Sequence, residues 1–364
     1  MKTSVFIITG GTGGHVIPAV NFFNYIDSKT ENVYLLTDKR GSKYIKNINE
    51  NNIFKIHSSH LSGNIFFKLK AIIKLLFGFF QSIIIFMKLK PKIVISFGSY
   101  ASLTPLICFI IFKIFFKTKL YLHEQNSIIG QTNRTFIKFS NKIFMNFDKN
   151  YYSINKYFEK ISIVGLPQKI IKKSFKKDYN KTGDIFNFLV FAGSQGSEEI
   201  IILLKKIINN LQIKKELKKI KFFIQSPSNK HQEIESLLIK YNYDYEIQNF
   251  YDNFETILKK ANLAFCRSGA GTINDLINFK IPAIICPLSS AKDNHQYENA
   301  KILTDINCGI ILDDKKINIE EIILFIEKVF KDNNFKKSVL NNYSKIKLEN
   351  ASELMWKIIA DDKQ

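Results

Sequence analysis

The chain reads as an α/β protein built from two doubly wound domains, each around a parallel sheet. Three observations predict this. Short apolar, β-rich runs alternate with helical stretches through both halves, the pattern of parallel strands joined by crossover helices. Each half opens with a glycine turn directly after such a run, at Gly10-Gly11-Thr12-Gly13-Gly14 and at Gly193-Ser194-Gln195-Gly196. The 364 residues suffice for two domains of ordinary size.

The first domain is expected over 1–165, with strands at Ser4–Thr9, Val33–Thr37, Ile93–Ser96, Lys119–Leu122 and Lys142–Met145. The junction falls near Gly165-Leu166-Pro167, ahead of a polar, lysine-rich stretch over 172–184. The second domain is expected over 166–344, with strands at Phe186–Ala192, Lys221–Gln225, Leu263–Cys266 and Ala283–Cys286. The last helical pattern, within 345–364, has two open placements, on the second domain or back on the first. A ligand cleft at the carboxyl ends of the strands, deep and between the domains, completes the expected architecture.

Composition narrows the classes. Four cysteines (Cys108, Cys266, Cys286, Cys308) lie in or near apolar runs with no C-x-x-C pair, and the six histidines lack metal spacing. Buried reduced thiols and no metal site are therefore expected. The N-terminus runs straight into a strand without a secretory leader, so a cytoplasmic protein is expected. The net charge of +21 has two readings. It reflects the lysine- and asparagine-rich usage of an A+T-rich genome, or it attracts an acidic surface. No nucleic-acid-binding module accompanies it.

Two segments are unusually apolar. In Ile65–Lys90 the positions Lys70, Lys74, Gly78, Gln81 and Lys88 recur at helical spacing, leaving a narrow wet stripe and a wide apolar face. Leu103–Phe116 is a second apolar run flanked by lysines. Neither carries the uninterrupted run of about 18 apolar residues that a spanning helix needs. They read either as core helices or as a partly exposed patch ringed by lysines on an anionic membrane.

The first glycine turn joins a strand to a helix start, where unpaired amides and the positive end of the helix dipole favour an anion. No Gly-Lys-Ser/Thr follows, which excludes a Walker loop. Gly11 and Gly13 match two glycines of a dinucleotide loop, but the third falls on Val16. Asp38 stands where a ribose acid would, somewhat beyond the expected spacing of roughly 20 residues. A nicotinamide oxidoreductase and a plain tight turn stay open here. His15 is the one titratable side chain in the turn.

Further motifs follow strands. His123-Glu124-Gln125-Asn126 ends one, and reads as a ligand edge or as a hydrogen-bonded turn before a helix. Gly193–Gly196 precedes a helix able to receive a diphosphate. Cys266-Arg267-Ser268-Gly269-Ala270-Gly271-Thr272-Ile273-Asn274-Asp275 places an acid one turn inside a helix, where it grips ribose hydroxyls or complements the dipole. Asp293-Asn294-His295-Gln296-Tyr297-Glu298-Asn299 opens another helix, to hold sugar hydroxyls or to cap it.

In order and at domain-scale spacing, GGTGGH, HEQN, GSQG, RSGAGT and DNHQYENA resemble the MurG family of N-acetylglucosaminyltransferases over essentially the whole chain. The resemblance implies the GT-B fold, an acceptor and membrane-associating first domain, and a second domain binding UDP-N-acetylglucosamine. It carries donor contacts onto Thr12, Gly13, Gly14, Asn126, Lys169, Ser194, Tyr251, Ala270, Gly271, Thr272, Ile273, Asn274, Asp275 and Gln296. Four positions depart from the family pattern. Lys169 stands for an arginine, losing its bidentate fork. Asp275 stands for a longer glutamate, His295 for a glutamine, and Tyr251 for an aliphatic residue.

The implied reaction is an inverting, metal- and cofactor-independent transfer to the 4-hydroxyl of lipid-linked N-acetylmuramic acid (lipid I). A base must take the hydroxyl proton. His15 is the first candidate, as the side-chain type that ordinarily titrates near working pH, with Glu124 next and His123 third. The implied setting is peripheral, on the cytoplasmic face of the inner membrane. The implied partners are UDP-N-acetylglucosamine, lipid I, an anionic membrane surface, and cell-wall or division machinery, with no nucleic acid. Rival readings are another UDP-sugar glycolipid transferase, a UDP-sugar epimerase, and a non-catalytic binder.

Overall fold

Strand β1 (Ser4–Ile8) is apolar on both faces and buried along its whole length, as befits a strand in the interior of a covered parallel sheet. The computed structural model describes residues 4–30, 32–60, 64–149, 152–168, 177, 185–192, 197–312, 318–346 and 349–362. The chain divides into two units, Met1–Ile170 with Glu349–Gln364, and Ile171–Leu348.

In the first unit β1 is followed by α1 (Gly13–Asp27), β2 (Asn32–Thr37), β3 (Ile53–Lys55), α2 (Ile65–Leu89), β4 (Ile93–Ser96), α3 (Leu103–Phe115), β5 (Lys119–Glu124), α4 (Gln131–Phe136), β6 (Lys142–Met145) and β7 (Ile161–Ile163). The seven strands form one parallel sheet in the order β3-β2-β1-β4-β5-β6-β7. Alternation along β1 sends Val5 and Ile7 to one face, and Phe6 and Ile8 to the other. Val16, Phe22, Phe23 and Ile26 of α1 cover the first face. Met355 and Ile359 of the chain-terminal helix (Ala351–Asp361) join them there, so that helix packs on the first unit. Leu106, Phe109 and Phe112 of α3 cover the opposite face with Phe86 of α2.

Helix α2 reverses one expectation. Its inward seam is a narrow line of Ala71, Gly78, Ser82 and Phe86. Gly78 and Gln81, expected in a wet stripe, face the protein instead. A Cβ on Gly78 would fall 2.0 Å from the His57 carbonyl oxygen, and Gln81 Oε1 accepts the His57 amide at 2.9 Å. The wide apolar face therefore points outward. By length and composition this helix is also long and apolar enough to cross a membrane, contrary to the reading from uninterrupted runs.

The second unit runs β8 (Phe186–Phe191), α5 (Glu198–Leu211), β9 (Ile220–Gln225), α6 (His231–Lys240), β10 (Asp244–Gln248), α7 (Phe254–Lys260), β11 (Leu263–Cys266), α8 (Ala270–Phe279), β12 (Ala283–Ile285), α9 (His295–Thr304), β13 (Gly309–Ile311), α10 (Ile319–Lys331) and α11 (Asn333–Ser344). Its sheet is also parallel, ordered β10-β9-β8-β11-β12-β13. Ile200, Leu204 and Ile207 of α5, with Ile322 and Ile326 of α10, pack on Phe188 and Val190 of β8. All four cysteines are buried, with none in a disulfide.

Candidate active site

Strand order reverses between β1 and β4 in the first sheet, and between β8 and β11 in the second. The connections leave in opposite directions there, which opens a crevice at the strands' carboxyl ends. In the first unit two loops meet at this point, Thr9–Thr12 after β1 and Phe97–Ser102 after β4. Gly11 has a φ of +78°, and a Cβ on Gly10 would fall 2.4 Å from that of Ala101. These two glycines thus serve the fold itself. Gly14 is different: a Cβ there meets only Thr12 Oγ1, at 3.8 Å. Its bareness serves nothing in the first unit, yet it stands in the first turn of α1. Thr12 is the N-cap, is exposed, and makes no side-chain cap bond.

Asp38, at the end of β2, fixes this loop. Its Oδ1 accepts the amides of Gly11 and Gly41, each at 2.8 Å. Its Oδ2 accepts Arg40 Nε and Ser58 Oγ, each at 3.0 Å. Burial alone would raise its pKa, but these amides and the guanidinium outweigh that and hold the carboxyl below its usual range. Its lone pairs are occupied, so the dinucleotide reading loses its ribose acid.

His15 lies in the first turn of α1, partly exposed. Its Nδ1 is 2.9 Å from the Phe97 carbonyl oxygen and 2.8 Å from Gln125 Oε1. Its Nε2 has no hydrogen-bond partner among the described residues. Glu124 presents the opposite situation. It is buried, with Oε1 accepting the Asn126 amide at 3.1 Å and Asn126 Nδ2 at 3.3 Å. Its Oε2 accepts the Gly130 amide at 2.8 Å and Asn133 Nδ2 at 2.9 Å. His123 is fully buried, and burial pushes its pKa down to about 4. Asn126 is held at its side chain by Glu124 and sits half-buried on the same edge.

In the second unit the loop after β11 and the start of α8 occupy the crevice. Of the stretch Ala270–Asp275, the residues Ala270, Ile273 and Asn274 are buried, and Asn274 Nδ2 donates back to the Ala270 carbonyl at 2.9 Å. Gly271, Thr272 and Asp275 are partly exposed. A Cβ on Gly271 would meet nothing within 4 Å, so this glycine too is not required by packing. The α8 N-cap, Gly269, makes no side-chain cap bond, which leaves first-turn amides available to an anion. Desolvation raises the Asp275 carboxyl to about 7. Gln296, half-buried at the start of α9, accepts the Leu288 amide on Oε1 at 2.9 Å. The Tyr251 ring is buried, and its hydroxyl donates to the Glu246 carbonyl at 2.8 Å. Burial raises the pKa of that hydroxyl, and any ligand contact at this position falls to the main chain. Lys169, Ser194 and the turn Gly193–Gly196 lie outside the described residues.

One residue of the edge had no role in the sequence reading. The buried guanidinium of Arg267 donates from Nη1 to the carbonyls of Cys286 and Pro287, both at 3.0 Å. Its Nη2 donates to Ser197 Oγ at 2.8 Å and pairs with Glu199. It thereby joins the loops after β11 and β12 to the start of α5. An arginine directly after an apolar strand, inside a run of small residues, was the available signal.

The model of the glycosyltransferase family 28 N-terminal domain matches residues 5–145, and that of the family's C-terminal domain matches 187–355. A relative from Rickettsia canadensis (strain McKiel), named UDP-N-acetylglucosamine–N-acetylmuramyl-(pentapeptide) pyrophosphoryl-undecaprenol N-acetylglucosamine transferase, is 32% identical over 86% of this chain and 87% of its own. A second of the same name, from Rickettsia bellii (strain RML369-C), is 32% identical over 90% and 89%. The chain belongs to the MurG family. The crystal structure of Acinetobacter baumannii MurG shares the fold, with a TM-score of 0.76 over 98% of this chain and 99% of that one at 20% identity. The two parallel-sheet units are thus those of a GT-B glycosyltransferase. As a MurG family member, the chain carries its GGTGGH and HEQN motifs on the crevice edge of the first sheet, and RSGAGT on that of the second.

Proposed function

We propose that this chain transfers N-acetylglucosamine from UDP-N-acetylglucosamine to lipid I in peptidoglycan synthesis. The observation that carries this function is the near-full-length match to transferases of that name. In the reaction the 4-hydroxyl oxygen of the lipid-linked N-acetylmuramic acid bonds to C1 of the donor sugar. The bond from C1 to the UDP oxygen breaks, the configuration inverts, and the hydroxyl proton passes to a base.

His15 is that base in our reading, because its Nδ1 faces two oxygen acceptors and its Nε2 is open. A positioned base contributes about 100- to 10,000-fold to such a step. Glu124 instead braces the loop around Asn126, since four donors already surround it. His123 is too deeply buried to meet a substrate. The second unit takes the donor: the bare start of α8 receives the diphosphate, Asp275 the ribose hydroxyls and Gln296 the sugar. Thr12, Gly13, Gly14, Asn126, Lys169 and Ser194 complete the donor contacts.

The first unit rests on an anionic membrane surface through the outward apolar face of α2 and the exposed Ile107, Ile111, Ile114 and Phe115 of α3. The enzyme then works as a peripheral protein on the cytoplasmic face of the inner membrane, where cell-wall or division machinery would meet it.

Transfer of labelled N-acetylglucosamine to a lipid-linked muramyl peptide, scored with UDP release, tests the function. A folded, UDP-binding preparation that makes no product would overturn it. Full turnover by His15→Ala would remove His15 from the mechanism and leave the function standing.

A further inference from the structure

We infer that Gln125 is a positioning residue that locks His15 in the tautomer with the proton on Nδ1, and that His123 anchors Gln125 for this purpose. The inference rests on His15 as the base. Three residues from two elements form one directed chain of hydrogen bonds, and each proton in it is assigned by a group with a single role. Gln125 Nε2 lies 3.0 Å from the Phe97 carbonyl oxygen and 3.2 Å from that of His123. Main-chain carbonyls only accept, so the amide nitrogen must occupy that side and Oε1 must face His15.

His15 Nδ1 is then confronted by two acceptors, Oε1 of Gln125 at 2.8 Å and the Phe97 carbonyl at 2.9 Å. It must carry the proton, and Nε2 keeps the lone pair that takes one from a substrate hydroxyl. At the other end, His123 Nε2 is 2.9 Å from the Gly165 carbonyl and so bears its own proton. His123 Nδ1 accepts from Gln125 Nε2 at 3.1 Å. A stacked Phe97 ring, 4.9 Å away between centroids, holds the His123 ring in place. The Gln125 main chain is tied by Asn146 Nδ2, which donates to its carbonyl at 2.7 Å.

The arrangement parallels a catalytic histidine whose far nitrogen is oriented by a carboxylate, with a neutral amide in the carboxylate's place. Gln125 sets direction and tautomer without supplying charge. A glutamine is suited to this because its two ends differ: one accepts from His15 while the other donates to His123. A leucine would do neither, and a glutamate would keep only the first.

The test is the tautomer itself, read in the full chain labelled with 15N-histidine. The His15 signals are assigned by their loss in His15→Ala. We expect a protonated-type Nδ1 and an unprotonated-type Nε2 for the neutral His15 ring. A proton on Nε2, or a mixture of tautomers, overturns the inference. Gln125→Leu leaves only the Phe97 carbonyl, of the two acceptors, at His15 Nδ1. The Nε2–H tautomer should then appear as a minor population beside Nδ1–H, and kcat should fall roughly two- to tenfold, a fraction of what a positioned base supplies, with little change in the donor KM. A fall in kcat with the tautomer unchanged also overturns it. Should Gln125→Leu fail to fold, Gln125→Glu serves: its carboxylate keeps an acceptor at His15 but loses the donor to Phe97 and His123. The Nδ1–H form should persist with the His15 ring signals displaced by the added charge, and a His15 spectrum identical to the wild type would overturn the inference. The failure of the base reading is separate: there His15→Ala stays active while the tautomer is still locked.

Discussion

The amide of Gly11 donates to Asp38 Oδ1 at 2.8 Å, and Asp38 lies 27 positions away at the end of the neighbouring strand. The bond holds the first glycine loop in its left-handed turn. Asp38→Ala would leave the amides of Gly11 and Gly41 without their acceptor, at a cost of about 2–3 kcal/mol. The carboxyl is held below its ordinary 3.8, so its stabilisation is present above that value and lost as pH falls through the lower folded one. Acid unfolding followed by circular dichroism should show a step in this range that Asp38→Asn lacks.

Gly14 and Gly271 separate a ligand role from a folding role. A side chain at either meets no obstacle in its own unit. Alanine in a helix is favoured over glycine by up to about 1 kcal/mol, so Gly14→Ala and Gly271→Ala should melt at or above the wild-type temperature. Both should nonetheless lose turnover, and Gly271→Ala should lose UDP affinity by about tenfold or more, since a methyl would stand where the backbone meets the ligand. Calorimetry with unchanged UDP affinity in Gly271→Ala would remove that residue from the donor site.

Ser99 sits at φ 77° and ψ 156° in the loop beside Gly11, a region that only glycine enters readily. Strain there costs roughly 1–3 kcal/mol, partly offset against glycine's backbone entropy of about 0.5–1 kcal/mol. Ser99→Gly should therefore stabilise the protein by about 1 kcal/mol, while Ser99→Ala should not. Parallel thermal melts of the two variants decide the point.

In the proposed donor site, Asp275 gives binding a pH dependence. Its carboxyl is raised to about 7 by desolvation, and only the ionised form accepts two ribose hydroxyls. UDP affinity should fall as pH drops below about 7, and binding near pH 6.5 should release a proton, visible as a buffer-dependent binding enthalpy. Asp275→Asn should weaken UDP by about ten- to a hundredfold, the worth of hydrogen bonds to a charged group, and remove the pH dependence. Stability runs the other way. A raised carboxyl stabilises the fold below its unfolded value of 3.8, and that contribution is lost as pH climbs to 7. The unliganded Asp275→Asn variant should thus be the more stable protein at pH 8.

What the sequence made legible follows from what each element touches. The interior strands, such as β1 and β8, are buried on both faces and read as apolar runs with at most one polar residue, Ser4 in β1 and Asn187 in β8. The four strands that had no such run are β3, β7, β10 and β13, and they are the four sheet edges. Their residues are half-exposed, so composition gives no run to detect. The switch-point loops were legible because glycine and small residues are needed there whatever packs around them. The orientation of His15 was not, because it depends on Gln125 and Phe97, 110 and 82 positions away. Helix α2 misled for a related reason. Periodicity finds a polar stripe but cannot tell that Gly78 is bare so that the His57 backbone can approach.

That inverted helix supplies the last prediction. Phe66, Leu69, Ile73, Leu76, Phe80, Ile84 and Met87 recur every three or four positions along α2, and each is roughly half exposed or more. They form one apolar stripe on the side away from Ala71, Gly78 and Ser82, with Lys68, Lys70 and Lys74 exposed beside it. Packing within the first unit does not use these side chains, so Leu76→Glu with Phe80→Glu should change stability by no more than about 0.5 kcal/mol per residue. Seated in an acyl boundary, each apolar side chain would contribute about 1.5–3 kcal/mol. The double variant should then release the enzyme from anionic vesicles by well over tenfold in a sedimentation assay. Replacing the three lysines by glutamine should act differently, lowering affinity by about 1 kcal/mol each at low salt and little at high salt, where the charges are screened. Wild-type sedimentation by the double variant would place the membrane contact elsewhere on the molecule and leave the apolar stripe to another partner.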